Sequence, residues 1–306
     1  MSKSKNTRKT KVLNENNSAP GDKLFKDLTS EQKKIITTKN VSASKTADEW
    51  LALLRDIALF DDKTNASLKK AGIASGCFFL FFSIFLIIPL LIFEQYIIAI
   101  TLPALSILYI IFLNIRRKKL LKMDISNQLG EFVIPFIELI KDDIKNATTI
   151  DMSLKLHRTT TGTPTHSEKN KSRDYPKIST KHFQNSWLEL NTVLADKTRI
   201  SLNITDNTRE LRVTKKNPRG KIKVKIKHKT RRLISSRISF NNSNYNADTS
   251  LLNNENYKIS IKEKESSSSI KLQFMDKING YKTVPTDQVF ELIGAGLNLL
   301  SSKKED

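Results

Sequence analysis

Two apolar stretches, Ala71–Phe93 and Ile97–Ile115, separated only by Glu94-Gln95-Tyr96, constrain this chain more than any other feature. Neither holds a charged side chain. At about 1.5 Å per helical residue, each is long enough to cross a hydrocarbon layer of roughly 30 Å. A segment in lipid must satisfy its own backbone polar groups, so the pair predicts a two-helix transmembrane hairpin. Lys69-Lys70 precede the first run and Arg116-Arg117-Lys118-Lys119 follow the second, whereas the connection carries Glu94 alone. That bias predicts a multi-pass protein of the plasma or inner membrane with both termini in the cytoplasm, the lipid bilayer being its first partner. Gly72 and Gly76, with Ala71 and Ser75, repeat small residues at a spacing of four, which suits either the seating of one helix on the other or a homodimer through that face. No acid, base or histidine interrupts either run, which argues against a transporter.

The expected fold class is an α+β membrane protein, with the hairpin joined to a cytoplasmic antiparallel β-sandwich or open barrel that a C-terminal helix closes. Residues 1–45 are rich in Lys, Ser, Thr and Asn and read as a disordered basic tail, with a short helix at Ser30–Ile36 as its one candidate element. Thr46 and Glu49 form a capping box for an amphipathic helix over 46–62, whose apolar face includes Trp50, Leu54 and Ile57 and which Asp61-Asp62 should end. The polar side of that helix is acidic, which favours protein packing over a headgroup layer. A second amphipathic helix is expected over 120–146, kinked around Gly130 and Pro135.

From Ile150 the apolar period changes from 3.6 to 2, so residues 149–285 read as a β-rich domain. Candidate strands centre on 150–156, 188–194, 200–204, 211–213, 222–240, 257–261 and 270–274, with a long loop over 159–181. After Asp206-Asn207 the apolar parity flips, which calls for a bulge or turn if Leu211 and Val213 are to face the core. Residues 286–302 read as the closing helix.

Charge is concentrated in one piece of this domain. Residues 207–240 carry 13 Lys and Arg against a single acid, Glu210, which is +12 of the chain's +21. Asn217-Pro218-Arg219-Gly220 reads as the turn of a hairpin. Beyond it, Ile222, Val224, Ile226, Ile234, Ile238 and Phe240 alternate with Lys221, Lys223, Lys225, Lys227, Lys229 and Arg231. Side chains alternate across a strand, so these cations form a ladder on one face, roughly 6.6 Å apart. Polar His228, Thr230 and Arg232 at even positions suggest that the run bends or leaves the sheet there. Lys215, Lys216, Arg219 and Arg232 complete the candidate anion-binding set. Its expected partners are anionic lipid headgroups or another polyanion, with nucleic acid less favoured because no aromatic is interleaved for base stacking. The competing reading is an edge strand that lysines keep from pairing with other chains.

No catalytic or metal-binding constellation is legible, and no cofactor is implied. His157, His166, His182 and His228 lack a helical partner or a neighbouring cysteine, and Cys77 is the only cysteine. Gly162 and Gly220 stand alone, without a phosphate-binding loop. Asp196 and Asp206 read as turn formers. The expected function is a membrane-anchored cytoplasmic binding or scaffold module, not an enzyme, that docks an anionic surface through the lysine-rich hairpin. The alternatives are a membrane-tethered hydrolase or transferase, with a site near Asp196, Asp206 or His182, and a nucleic-acid-binding membrane protein.

Overall fold

The computed structural model describes residues 22–70, 81, 96–145, 147–171, 175, 177–216, 220–247 and 257–303. Four long strands organise it: β4 (Lys177–Val193), β5 (Arg199–Lys216), β6 (Ile222–Asn241) and β9 (Ser267–Asn279). They lie in one antiparallel sheet, flanked by β1 (Asn40–Lys45) and β2 (Ile150–Lys155) on one side and by β8 (Lys258–Lys262) on the other. The order is β1-β2-β4-β5-β6-β9-β8, and β3 (His166–Asn170) pairs with the outer half of β4. A small second sheet joins β7 (Tyr245–Ala247) to β10 (Leu300–Ser302).

Helices pack on one face of the large sheet. In chain order the helical elements are α1 (Asp22–Asp27), α2 (Ser30–Thr38), α3 (Ala47–Lys70), α4 (Tyr96–Met123), which packs against α2 and α3, a π-helical turn (Leu129–Val133), α5 (Ile134–Ile140) and α6 (Thr286–Leu297). The inward positions of the strands, among them Leu154, Leu190, Leu202, Ile204, Ile238 and Leu272, meet Trp50, Leu54, Phe132, Phe136, Val289 and Leu292 in one core. Alternation decides which strand residues take part, since successive side chains point to opposite faces.

Several local expectations hold. Thr46 and Glu49 exchange capping hydrogen bonds, Glu49 Oε2 accepting from Thr46 N at 2.9 Å and Thr46 Oγ1 from Glu49 N at 3.4 Å. Trp50 is fully buried, and its Nε1 donates to Ile150 O at 2.9 Å, which ties α3 to β2. The 120–146 segment packs on the domain through Phe132, whose ring meets Trp187 edge-on at 6.0 Å, but its interruption falls at residues 124–127, whereas Gly130 and Pro135 lie within one helical run that passes from the π-helical turn into α5.

The fold class differs from expectation in two respects. Eight of the ten strands among the described residues form one sheet with helices packed on one face, not a sandwich or barrel, because the helical segments supply the second layer. Nor is the transmembrane hairpin upheld. Among the described residues no helix is long and apolar enough to cross a membrane, so the multi-pass membrane localisation with cytoplasmic termini is withdrawn. The first proposed span, residues 71–93, lies outside the described residues apart from Phe81, as do Gly72, Gly76 and Glu94-Gln95. The second forms part of α4, a 28-residue helix that runs on without interruption through Arg116, Arg117, Lys118, Lys119 and Lys122. An uncharged run in sequence is thus only part of a helix whose other part is cationic.

Other boundaries move as well. Residues 22–45, expected in the tail, form α1, α2 and β1, while residues 1–21 lie outside the described part. The loop expected over 159–181 contains β3 and the start of β4, whose side chains are mostly solvent-accessible and so carry no apolar alternation. Strand β5 has no bulge after Asp206-Asn207; the register shift lies across from it, between Ser186 and Leu188 of β4. Leu211 and Val213 therefore stay on the outward face.

Asp61 does not end α3. It sits in the middle of that helix, where its Oδ1 accepts from Ile125 N at 2.8 Å and its Oδ2 from Asn65 Nδ2 at 3.0 Å. Burial pushes its carboxyl up to about 6, with Asp124 and Asp62 acting in the same sense and the two hydrogen bonds opposing. An unfolded aspartate titrates near about 4, so the contribution of the protonated form is complete below that pH and is lost as pH rises through about 6. Asp61→Asn keeps the acceptor for Ile125 and removes this loss. Urea denaturation should find the variant more stable than the parent at pH 7 by about 2 kcal/mol once solvent screening is allowed for, with the difference vanishing near pH 4.

Candidate functional site

The cationic ladder forms, and it extends further than β6. Strand β5 pairs with β6 from Arg199↔Ser239 to Lys216↔Ile222, and β9 pairs with β6 as far as Asn279↔Lys229. Directly opposed residues share a face. Lys223, Lys225, Lys227, Lys229 and Arg231 therefore all point outward, and all five are exposed. The same face gains Arg209 opposite Lys229 and Lys277 opposite Arg231. Lys215, opposite Lys223, lies with its ammonium 4.9 Å from the ring centre of Tyr175. Towards β3 the row through Arg209 continues into His182 and His166, the latter 2.8 Å from Glu168. That hydrogen bond, and the charge of the imidazole when protonated, hold the Glu168 carboxyl below its usual range.

The remaining members of the expected set fall elsewhere. Lys221 is exposed just before β6, and Lys216 opposes Ile222 on the other face. Arg219 lies outside the described residues. Among the described residues no strand pairs with the outer end of β6 beyond Asn279, and Ile222, Val224 and Ile226 are 68%, 44% and 52% exposed. Their opposites on β5 are Lys216, Thr214 and Arg212.

Arg232 is the clearest departure. The strand neither bends nor leaves the sheet at His228, Thr230 and Arg232; these three meet Glu210, Thr208 and Asp206 on the inward face. His228 Nε2 lies 3.2 Å from Glu210 Oε2, and the Thr208 and Thr230 hydroxyls are 3.0 Å apart. Arg232 Nε donates to Asp206 Oδ1 at 2.7 Å, and Nη2 donates both to Asp206 Oδ2 at 3.1 Å and to Lys282 O at 2.9 Å. Both side chains are almost wholly enclosed, at 3% and 1% exposure. Asp206 is a strand residue and one half of a buried ion pair, where sequence suggested a turn.

This pair lies at the floor of a cavity of about 390 Å³ between the inward sheet face and the segment that follows α4. Trp187, Ile125 and Ile278 provide apolar wall, and Lys155, Arg158 and Lys282 stand at the rim. Arg158 Nη2 donates to Asp124 Oδ2 at 2.6 Å. His157 also lines the cavity; burial, and then the charge of Lys39, hold its imidazole below the ordinary value. Sequence reasoning missed this cavity because its residues come from six separate stretches between Asp124 and Thr283. The one signal present was the polar interruption at 228–232 in an otherwise apolar inward row.

The acidic and histidine residues considered for catalysis are not brought together. Asp206 faces the cavity and His182 the opposite side of the sheet. Asp196 sits in the β4–β5 turn, where it accepts from Thr198 N and Thr198 Oγ1 at 2.8 Å each and from the Tyr245 hydroxyl at 2.9 Å. Partial burial opposes ionisation of Asp196, but these hydrogen bonds outweigh it and hold the carboxyl below its usual range. Comparison with protein-family models, curated proteins and solved structures finds no match to the chain.

Removing one member of a buried ion pair strands the other charge away from water. Arg232→Met should cost about 3–5 kcal/mol in chemical denaturation. Lys225→Gln, on the exposed ladder, should change the same measurement by less than about 0.5 kcal/mol.

Proposed function

We propose that the protein is a binding module that docks an extended, phosphate-bearing polyanion on the outward face of its sheet. The observation that carries this reading is the row of five exposed cations on β6, extended by Arg209 and Lys277 from the neighbouring strands. Like charges held side by side repel, and an anionic surface laid across them relieves that repulsion while releasing counterions. Among the described residues none of these seven side chains is ion-paired. Recognition of this kind is by charge and spacing, since no aromatic side chain stands between the cations on β6 for a base to stack on.

The protective reading, in which lysines keep the uncovered edge of β6 from pairing with other chains, predicts a different behaviour. The test compares the full chain with a variant carrying Lys223, Lys225, Lys227 and Lys229→Gln. Binding to phosphatidylserine-containing vesicles, to phosphatidylcholine vesicles and to duplex DNA is followed over rising salt. The docking reading expects the parent to prefer the anionic probes and lose affinity steeply with salt. The variant should bind them at least about tenfold more weakly, with a shallower slope. Equal affinity of parent and variant for every probe, with the variant self-associating, would replace docking by edge protection. Which anionic probe binds more tightly decides between a headgroup layer and a nucleic-acid backbone.

A further inference from the structure

The cavity on the inward face, away from the ladder, carries an inference of its own. A guanidinium has five N–H donors. Those on Nε and Nη2 of Arg232 are directed at Asp206 and Lys282 O, but Nη1 has no hydrogen-bond partner within the protein although it is buried. Trp187, 3% exposed, leaves its Nε1 equally unpartnered, and so does the Thr159 hydroxyl. All three residues line the same cavity. Buried polar groups are nearly always paired, so orphans gathered around one space indicate a group that fills it. Two of them can only donate, which requires an acceptor. The lining carries four cationic side chains, Lys155, Arg158, Arg232 and Lys282, against the two carboxylates of Asp124 and Asp206, so the acceptor is favoured further if it is negative.

We infer that this cavity binds a small organic anion whose carboxylate or phosphate group accepts from Arg232 Nη1 and Trp187 Nε1, with its apolar part against Trp187, Ile125 and Ile278. A volume of about 390 Å³ is in the range of metabolite sites and exceeds what an inorganic ion fills. Asp206 acts as a positioning residue: it holds the Nε–Nη2 edge of the guanidinium and leaves Nη1 for the ligand. Lys155 and Lys282, both exposed at the rim, draw the anion in. The cavity and the ladder lie on opposite sheet faces, so each is tested without the other.

The probes are phenyl phosphate and benzoate, with benzyl alcohol and benzamidine as uncharged and cationic controls. Binding to the full chain is read by calorimetry, by the thermal midpoint and by quenching of Trp187 fluorescence. One or both anions should bind with a dissociation constant below about 1 mM and raise the midpoint, and the tighter of the two identifies the oxyanion. The controls should bind at least about tenfold more weakly. Arg232→Lys keeps a cation beside Asp206 and removes Nη1, and should weaken the anions by about tenfold or more. In case that variant does not fold, Thr159→Val and Lys155→Gln lie at the half-buried and exposed margins, and each should weaken them about threefold. The ladder variant should bind them as the parent does. Failure of both anions to bind below about 10 mM, equal binding of benzyl alcohol, or no effect of Thr159→Val and Lys155→Gln would overturn the site.

Discussion

The pairing of β5 with β6, unbroken from Arg199↔Ser239 to Lys216↔Ile222, is the constraint on which the rest of the molecule depends. Once that register is set, each residue of the two strands is committed to one face or the other, and a slip of a single position would exchange the faces. Ile200, Leu202, Ile204, Ile234 and Ile238 then fall on the side that the helices cover. Arg209, Lys225, Lys227, Lys229 and Arg231 fall on the side that stays open. The same register carries Asp206 opposite Arg232, which places an ion pair where the apolar rows would otherwise continue.

Two kinds of positive charge follow from this geometry, and they differ physically. On the outward face the cations are in water, where their mutual repulsion is screened over about 8 Å at physiological ionic strength. The Arg232 guanidinium lies in a poorly hydrated interior, where each remaining donor must find an acceptor. The first arrangement suits recognition of an extended surface by charge density, and the second suits a compact group held by direct hydrogen bonds. A sheet covered on one face only can present both, because its two sides are separate environments.

The outward ladder was legible in sequence because it follows from a period of two along one strand. The extension through Arg209 and Lys277 was not, since it depends on which strands lie beside β6. Arg232 could not be sorted from its neighbour Arg231 by composition; only alternation within a continuous strand separates a buried cation from an exposed one. Likewise Asp61 and Asp206, read as an end signal and a turn signal, lie inside regular elements because Ile125 N–H and Arg232 satisfy them. Such partners are 64 and 26 positions away.

Sequence by itself determined the amphipathic helices around Trp50 and Phe132, the capping box at Thr46, the start of the closing helix after Pro285, though that helix ends at Leu297 and Leu300–Ser302 form β10 instead of its last turn, and the alternation that makes one strand face cationic. All of these depend on residues within a few positions of one another, where helical or extended geometry leaves little choice. Tertiary structure alone decided that the long strands form one sheet with helices on one face, that among the described residues the outer end of β6 pairs only with β5, and that the helix over 96–123 carries its apolar run and its cations together. It alone assembled the cavity of Trp187, Arg232 and Lys155. The physical reason is that burial and pairing are settled between segments far apart in the chain, and a one-dimensional pattern holds no record of which segments meet.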